Sequence, residues 1–174
     1  MHPLFHPLYV DYCTYFNGNR DYFECHEVLE EYWKLVSPGD KNHPLVGYVQ
    51  LATGMYHWRR NNIAGARKIL KKAMNNFSIN HSSLFFEFLD YDELCKNCAT
   101  SIEMIEKGEP FKLFNLTFTN KDLAALVNQK IEELPTLPYD YLLHKHMLRD
   151  RTDILEARKI SKLRHSSKTF DDKL

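Results

Sequence analysis

Residues 45–58, with the sequence LVGYVQLATGMYHW, are apolar or small on nearly every side of a helix. A surface helix carries one apolar stripe, whereas a helix that is apolar all round has to be covered by neighbours. Pro44 stands just before this segment, where a proline suits the first turn of a helix. The segment is therefore predicted to be the central helix of a helical protein, and other parts of the chain have to surround it.

Six further segments show helical periodicity and are separated by breaks rich in Gly, Pro and Asn. Segment 111–118 alternates weakly, and since no second strand candidate exists to pair with it, we expect it to lie extended over the bundle. The predicted helices cover residues 8–16, 21–36, 44–60, 63–77, 91–107, 120–134 and 139–164. The predicted fold is all-α: a compact bundle of six or seven helices built on two antiparallel helix-turn-helix units.

The length of 174 residues suits one domain, expected at 1–164, with a disordered tail at 165–174. No stretch approaches the roughly 20 apolar residues of a membrane span, and the start, MHPLFHPLYV, lacks the features of a signal peptide. Four cysteines without a regular pattern do not predict a disulfide framework, which favours a reducing cytoplasm. With 23 basic and 23 acidic residues, the net charge offers no argument for nucleic acid or membrane partners.

The second predicted helix, which contains DYFECHEVLEEYW, places ionisable side chains beside two large aromatic ones. His26 and Glu30 are four positions apart and therefore share one side of the helix. On a helical wheel this pair falls between Phe23 and Trp33, with Glu27 at the margin. We expect His26 and Glu30 to be largely buried, and Glu27 to be more exposed or paired with a cation.

The third helix carries one polar stripe on its otherwise apolar surface. Gln50, Thr53 and His57 fall within an arc of about 60°. Gly47 and Gly54 sit beside this stripe and would let another helix come close. Because a buried polar group without a partner costs about 1–3 kcal/mol, the stripe needs partners. The preceding helix is expected to return antiparallel, which predicts contacts of Gln50 or His57 with the polar pair of the second helix.

Two stretches carry a family resemblance, namely FNGNRDYFECHEVLEEYW and GYVQLATGMYHWRRNNIAGARKIL. They resemble the bacterial family known as domain of unknown function 309, over about residues 9–73. The resemblance implies an all-helical fold and, as its name says, no established activity. The positions that match the family pattern are Phe23, His26, Glu27, Glu30, Trp33, Gln50, His57, Asn62, Gly65 and Ala66.

Two interpretations of this polar group remain open. In the first, the protein is a non-enzymatic scaffold or partner-binding domain, with a protein partner or a second copy, and the group is a buried network that fixes helix packing. The network residues are then His26, Glu27, Glu30, Trp33, Gln50 and His57. In the second, the protein is a small metal- or ligand-dependent enzyme that uses His26, Glu30, Gln50 and His57.

The enzyme interpretation assigns particular chemistry to three of these residues. Glu30 would be the catalytic base and His57 its acid partner, because acid–base catalysis needs two titratable groups in reach of one substrate. His26, Glu30 and His57 would be the ligands if the cofactor is a divalent metal, since imidazole and carboxylate groups suit zinc, iron or manganese.

A basic face on the fourth helix gives a third and weaker alternative, a nucleic-acid-associated protein. Its members are Arg67, Lys68, Lys71 and Lys72, which lie opposite the apolar stripe of that helix. Sites that bind single-stranded nucleic acid commonly have aromatic side chains between the basic ones, and this face has none. A solvated helix face is therefore favoured, and nucleic acid is not the expected partner. An acidic tract at 82–109 is expected to meet the basic residues within the fold or across a dimer.

Overall fold

Seven α-helices make up most of the described chain, which is residues 1–148 and 159–160 of a computed structural model. Short 3-10 helices at Pro3–Phe5 and Leu84–Phe86 precede the first and the fifth of them. The helices are α1 Pro7–Asn17, α2 Tyr22–Val36, α3 Pro44–Arg59, α4 Ile63–Ile79, α5 Tyr91–Glu106, α6 Lys121–Glu132 and α7 Tyr139–Leu148. The predicted all-α bundle of six or seven helices is confirmed.

The chain divides into one unit at Met1–His144 and another at Lys145–Leu174, and helices α1 to α6 lie in the first unit. The predicted tail at 165–174 and most of the last predicted helix beyond Leu148 lie outside the described residues. The domain limits of 1–164 therefore stay a prediction. Among the described helices, none combines the length and the apolarity needed to cross a membrane.

Helix α3 is the central helix, as its all-round apolarity predicts. Eleven of its sixteen residues are buried. Helix α2 packs along it on one side and α4 on another, while α1 packs on α2 and α6, and α4 packs on α5. The ring of Phe23, at the start of α2, lies 6.0 Å from that of Tyr56, near the end of α3, so these two helices run antiparallel.

The two helix-turn-helix units reverse direction through turns of the same geometry. Arg20 and Asn61 adopt left-handed backbone conformations, with φ of 59° and 63°. Each is followed by a capping residue, Asp21 or Asn62, whose side chain accepts a hydrogen bond from the backbone N–H three residues later, at 3.1 and 3.2 Å. These caps satisfy donors that the first turn of a helix leaves free. The shared turn geometry explains the similar punctuation of the two units in the sequence.

Two glycines of α3 lie directly against side chains of α4. A Cβ atom added to Gly54 would lie 2.5 Å from Leu70 Cγ, and one added to Gly47 would lie 2.8 Å from Phe77 Cε1. Both distances are well inside carbon–carbon contact, which is about 3.5–4.0 Å. The predicted close approach of another helix at these glycines is therefore present, and the neighbour is α4.

The segment 111–118 lies over the bundle without a helical turn. Its backbone is held from α1, because Asn17 both donates to the Leu116 carbonyl and accepts from the Leu116 N–H, each at 2.8 Å. Arg20 adds a hydrogen bond to the Phe114 carbonyl at 3.1 Å. Phe118 pairs with Leu89 through an isolated antiparallel bridge. Side chains at the turn between α1 and α2 thus hold the middle of the segment, and a single bridge holds its end.

Three helices begin with a histidine followed by a proline. In each case the imidazole Nδ1 accepts a hydrogen bond from the backbone N–H two residues later, at 3.3 Å for His2, 3.3 Å for His6 and 3.2 Å for His43. The ring of His6 stacks on Tyr32 at 4.0 Å, and His43 meets the edge of Phe85 at 5.0 Å. Tyr32 and Phe85 are themselves in contact, at 6.2 Å, so these histidines lie at one end of the bundle.

Adding a methyl group at the α3–α4 contact tests how much the fold depends on it. Gly54→Ala is expected to destabilise the protein by about 1–3 kcal/mol, because the new Cβ overlaps Leu70 in a packed core. Leu70→Ala alone should cost about 2–5 kcal/mol, since Leu70 is fully buried. The double variant should lose less than the sum, because the space vacated by Leu70 accepts the methyl group. Urea denaturation measures all three, and simple additivity would show that the two residues do not share this contact.

Candidate functional site

His26, Glu27 and Glu30 form a polar group on α2, here called the α2 cluster. His26 Nδ1 lies 3.2 Å from Glu27 Oε1, and His26 Nε2 lies 3.4 Å from Glu30 Oε2. One ligand atom from each of the three residues falls within 4.8 Å of the others. The helix brings His26 and Glu30 together, because residues four apart are neighbours on its surface, whereas the contact of His26 with Glu27 joins adjacent residues.

The α2 cluster is half-buried, which corrects the expectation that His26 and Glu30 are largely buried. Their side chains are 33% and 31% exposed, and that of Glu27 is 35% exposed. The buried positions of α2 are instead taken by Tyr22, Cys25, Leu29 and Tyr32. Neighbouring helices cover that apolar side, so the side with the ionisable groups stays open to solvent.

Glu30 has a cationic partner that sequence reasoning did not assign. Lys34 Nζ lies 2.6 Å from Glu30 Oε1, one helical turn further along α2. A glutamate followed four residues later by a lysine is a known stabilising pair on helix surfaces, and this spacing was visible in the sequence. Glu30 therefore lies between the His26 imidazole and the ammonium group of Lys34, whose side chain is 61% exposed.

Two aromatic side chains flank the α2 cluster, as the helical wheel predicts. Phe23 and Trp33 are both half-buried and pack against the core. The indole N–H of Trp33 donates to the Asp40 carbonyl at 2.9 Å, which ties α2 to the loop before α3. Trp33 thus belongs to the same surface as the cluster, but its hydrogen bond goes to the loop.

Gln50 lies beside α4, away from the α2 cluster. It lines a cavity together with Lys71, Lys72 and other side chains from α4. Its Oε1 atom is buried and has no hydrogen-bond partner in the structure. A buried acceptor without a donor is costly.

His57 also faces α4, where it supports a helix cap. Its Nδ1 atom lies 3.2 Å from the side-chain nitrogen of Asn62, and Asn62 caps α4 through the Gly65 N–H. Burial lowers the pKa of His57, and the charge of Arg60 lowers this pKa further. A neutral imidazole can accept the Asn62 hydrogen bond, so the depressed pKa suits a structural role.

The structure thus separates the predicted site residues into two groups. Within the described residues, neither Gln50 nor His57 makes a hydrogen bond to His26 or Glu30. The reason is the side on which α4 packs: the polar stripe of α3 lies beside the glycines that contact α4, so it faces α4 and not α2. The acid–base pair of Glu30 and His57 is therefore not assembled.

The basic face of α4 is exposed, but part of its charge is balanced within the fold. All four members, Arg67, Lys68, Lys71 and Lys72, are exposed. Lys71 Nζ lies 2.7 Å from Glu106 Oε1 on α5, and this hydrogen bond and charge lower the pKa of Glu106. The acidic tract and the basic face therefore meet inside one chain at this pair.

The α2 cluster has the arrangement of an oriented imidazole. When Nδ1 carries the proton, it donates to Glu27, and the lone pair of Nε2 is free on the side of Glu30. Histidines that bind metals are commonly held in this way by a carboxylate on the other nitrogen. The cluster can therefore bind a cation, either a metal ion or a positively charged side chain, between His26 and Glu30.

Comparisons with known proteins place the α2 cluster in a recognised family region. The family model described as "Domain of unknown function (DUF309)" matches residues 9–69, from α1 into α4. The uncharacterized protein YpuF of Bacillus subtilis (strain 168) is 33% identical over 162 residues, which cover 89% of this chain and 93% of that protein. No solved structure matches the chain significantly. The likeness to YpuF thus extends well beyond the region of the family model.

Neutralising Glu30 tests whether the α2 cluster holds the fold together. Glu30→Gln should change the free energy of unfolding by less than about 1 kcal/mol, because ion pairs at partly exposed positions contribute little. Leu29→Ala is the matched control on the same helix, and the loss of this fully buried side chain should cost about 2–5 kcal/mol. Thermal denaturation compares the two variants. A loss above about 2 kcal/mol for Glu30→Gln would instead assign the cluster a structural role.

Proposed function

The chain belongs to the family called domain of unknown function 309, and we propose that it is a non-enzymatic helical domain that binds a partner protein through the α2 cluster. The observation that carries the proposal is the exposure of this cluster: its three polar side chains converge on one helix and stay about one-third exposed. A surface of this kind is accessible to a large partner without any opening of the fold.

The surroundings of the α2 cluster favour recognition of a protein. Phe23 and Trp33 present aromatic surface on either side of the charged groups, and Trp33 is fixed by its bond to the Asp40 carbonyl. Aromatic anchors beside charged groups are typical of residues that dominate protein interfaces. Because Glu27 and Glu30 are acidic, the complementary segment of the partner is expected to carry lysine or arginine.

The competing functions have less support. An enzyme that uses Glu30 and His57 together needs them near one substrate, whereas His57 is engaged with Asn62 beside α4. A nucleic-acid interface on the basic face has to compete with Glu106 for Lys71. We place the protein in the cytoplasm, which is supported by its four cysteines, all of them free thiols.

Site-specific photo-cross-linking tests the proposed interface. A photoreactive amino acid replaces Glu27, on the cluster, or Glu31, an exposed position on another side of α2. In the cells that naturally contain the protein, irradiation should cross-link the variant with the photoreactive residue at position 27 to a discrete partner. The variant with this residue at position 31 should give no cross-link. Glu30→Lys should abolish the adduct, because the new lysine would repel the basic residues expected on the partner. Glu31→Lys should leave the adduct in place.

The same experiment distinguishes the partner from a second copy of this chain. An adduct of twice the chain's mass would identify self-association as the binding event. Equal cross-linking from positions 27 and 31, or adducts that survive Glu30→Lys, would refute a specific interface at the α2 cluster.

A second candidate function is divalent-metal binding at the same cluster, because three ligand atoms already lie within 4.8 Å of one another. His26 and Glu30 would bind the ion, and Glu27 would orient the imidazole. Lys34 would have to leave Glu30, since an ammonium group and a metal ion compete for one carboxylate. A metal would supply a Lewis acid, and the residues of this chain would hold it and position its ligands.

Metal binding has a direct test in protein purified without a histidine tag. Elemental analysis should find stoichiometric metal, and calorimetric titration with Zn²⁺ or Mn²⁺ should show one site. Glu27→Gln should weaken that site by about 10- to 100-fold, as expected for a residue that orients a ligand. Lys34→Met should strengthen it, and His57→Ala should leave it unchanged. Binding that is insensitive to Glu27→Gln, or equally sensitive to His57→Ala, would count against this site.

A further inference from the structure

One end of the bundle exposes several large apolar side chains. Helices α2 and α4 end there, α3 begins there, and the 3-10 helix at Leu84–Phe86 lies beside them. Four aliphatic residues at this end are each between 47% and 65% exposed, namely Leu35, Val36, Ile79 and Leu84. Soluble monomers rarely gather exposed apolar side chains in one place, and where they do, the surface commonly binds another molecule.

The loop 37–43 connects the ends of α2 and α4. Its Asp40 carbonyl accepts a hydrogen bond from the indole of Trp33, in the second half of α2, at 2.9 Å. Its Asn42 carbonyl accepts a hydrogen bond from the side chain of Asn80, the residue after α4, at 2.7 Å. The last turns of α2 and α4 therefore lie at the same end of the bundle.

The 3-10 helix at Leu84–Phe86 packs onto this end as well. His43, the residue before α3, meets the edge of the Phe85 ring at 5.0 Å. The same ring lies 6.2 Å from that of Tyr32 on α2. Leu84 precedes Phe85 and is thereby held near the end of α2. The four exposed aliphatic residues thus belong to one surface built by three elements, here called the apolar end.

The apolar end carries opposite charges on its two sides. Asp40 is tied to α2 through Trp33, whereas Lys41 lines the cavity beside α4. Both residues are exposed, and neither makes a salt bridge within residues 1–148. Asp40 Oδ1 accepts from the Asn42 N–H at 2.9 Å, which holds its carboxylate in place. A surface that is acidic on one side and basic on the other is complementary to itself after a two-fold rotation.

We propose that the apolar end is the interface of a symmetric dimer, in which it packs against the same surface of a second copy of this chain. In such a contact each residue pair occurs twice, so Asp40 of each copy faces Lys41 of the other. Burial of the four aliphatic residues supplies the affinity, and the two charge pairs fix the orientation of the copies. The residues of the α2 cluster lie more than one turn before the end of α2, so the dimer is a separate interface from the proposed partner site.

A membrane surface fits the charges of the apolar end less well. Proteins that lie on anionic membranes surround their inserted apolar side chains with lysine or arginine. At the apolar end the carboxylate of Asp40 lies beside the aliphatic residues, and a negatively charged leaflet would repel it. A second copy uses both signs of charge, which is the reason to favour it.

Sedimentation equilibrium of the full chain tests the proposal. The mass of the parent protein should approach that of two chains as the concentration rises. Leu35→Glu and Leu84→Glu should each raise the dissociation constant by about tenfold or more, because each places a charge in an apolar contact. Leu113→Glu is the matched control and should leave the dissociation constant unchanged. Leu113 is also exposed, but its segment is held by Arg20 at the other end of α2.

An exchange of charges tests how the two copies are oriented. Asp40→Lys alone, or Lys41→Asp alone, places like charges opposite each other, so each variant should be mainly monomeric. An equal mixture of the two variants should dimerise, because the two lysines of one chain then face the two aspartates of the other. Since only folded chains can associate in this way, the recovery also shows that neither substitution unfolds the protein.

The proposal is overturned by a parent protein that stays monomeric at concentrations up to about 1 mM. It is also overturned by equal effects of Leu35→Glu and Leu113→Glu, or by a mixture of the two charge variants that stays monomeric. A monomeric parent that binds phosphatidylglycerol vesicles, and loses this binding on Leu35→Glu, would assign the apolar end to a membrane surface instead. None of these outcomes affects the cross-linking test of the α2 cluster, which is read from position 27.

Discussion

At Gly47 and Gly54, the backbone of α3 lies directly against side chains of α4, because the glycines place no side chain of α3 in between. This contact fixes the rotation of α3 about its own axis, because any other rotation would place larger side chains between the helices. The polar stripe beside the glycines is thereby held against α4, so Gln50 enters the cavity and His57 supports the cap of α4. Helix α2 is left to cover another side of α3 with its apolar residues, and its ionisable groups stay outside.

The α2 cluster and the cavity beside α4 differ in charge. The α2 cluster is acidic, partly exposed and framed by aromatic side chains, which suits a basic segment of another protein. The cavity beside α4 is concave and is lined by three lysines and no carboxylate. Both rest on α3, since α2 and α4 each pack against it. A single buried helix therefore positions both the α2 cluster and the cavity.

The fold could be predicted from the sequence because its signals are local. Periodicity identified the helices, and caps such as Asp21 and Asn62 marked where they begin. The membership of the α2 cluster was also local, since positions 26, 27 and 30 share one helix. The predictions that the cluster is buried and that it contacts Gln50 or His57 were wrong. Both depend on which helix packs on which side of α3, and a helical wheel does not contain that information. Gly47 and Gly54 did indicate the close approach of another helix, but that helix is α4 and not α2. The cavity brings Lys41 and Asn75 together from different elements, so no sequence spacing indicates it.

The histidine cap at the beginning of α3 makes that end of the helix responsive to acidity. Carboxylate and amide caps keep their acceptors at mildly acidic pH, but an imidazole that gains a proton loses the lone pair on Nδ1. Burial lowers the pKa of His43 from its usual value of about 6.5, and the carboxylate of Asp40 opposes this shift. The stability that this cap contributes is therefore complete above that usual value and is lost as the pH falls through the lower value of the folded state. Protonation would also place positive charge at the positive end of a helix. Acidification therefore weakens the cap at the beginning of α3, whereas the amide oxygen of Asn62 can still accept from the Gly65 N–H at the beginning of α4.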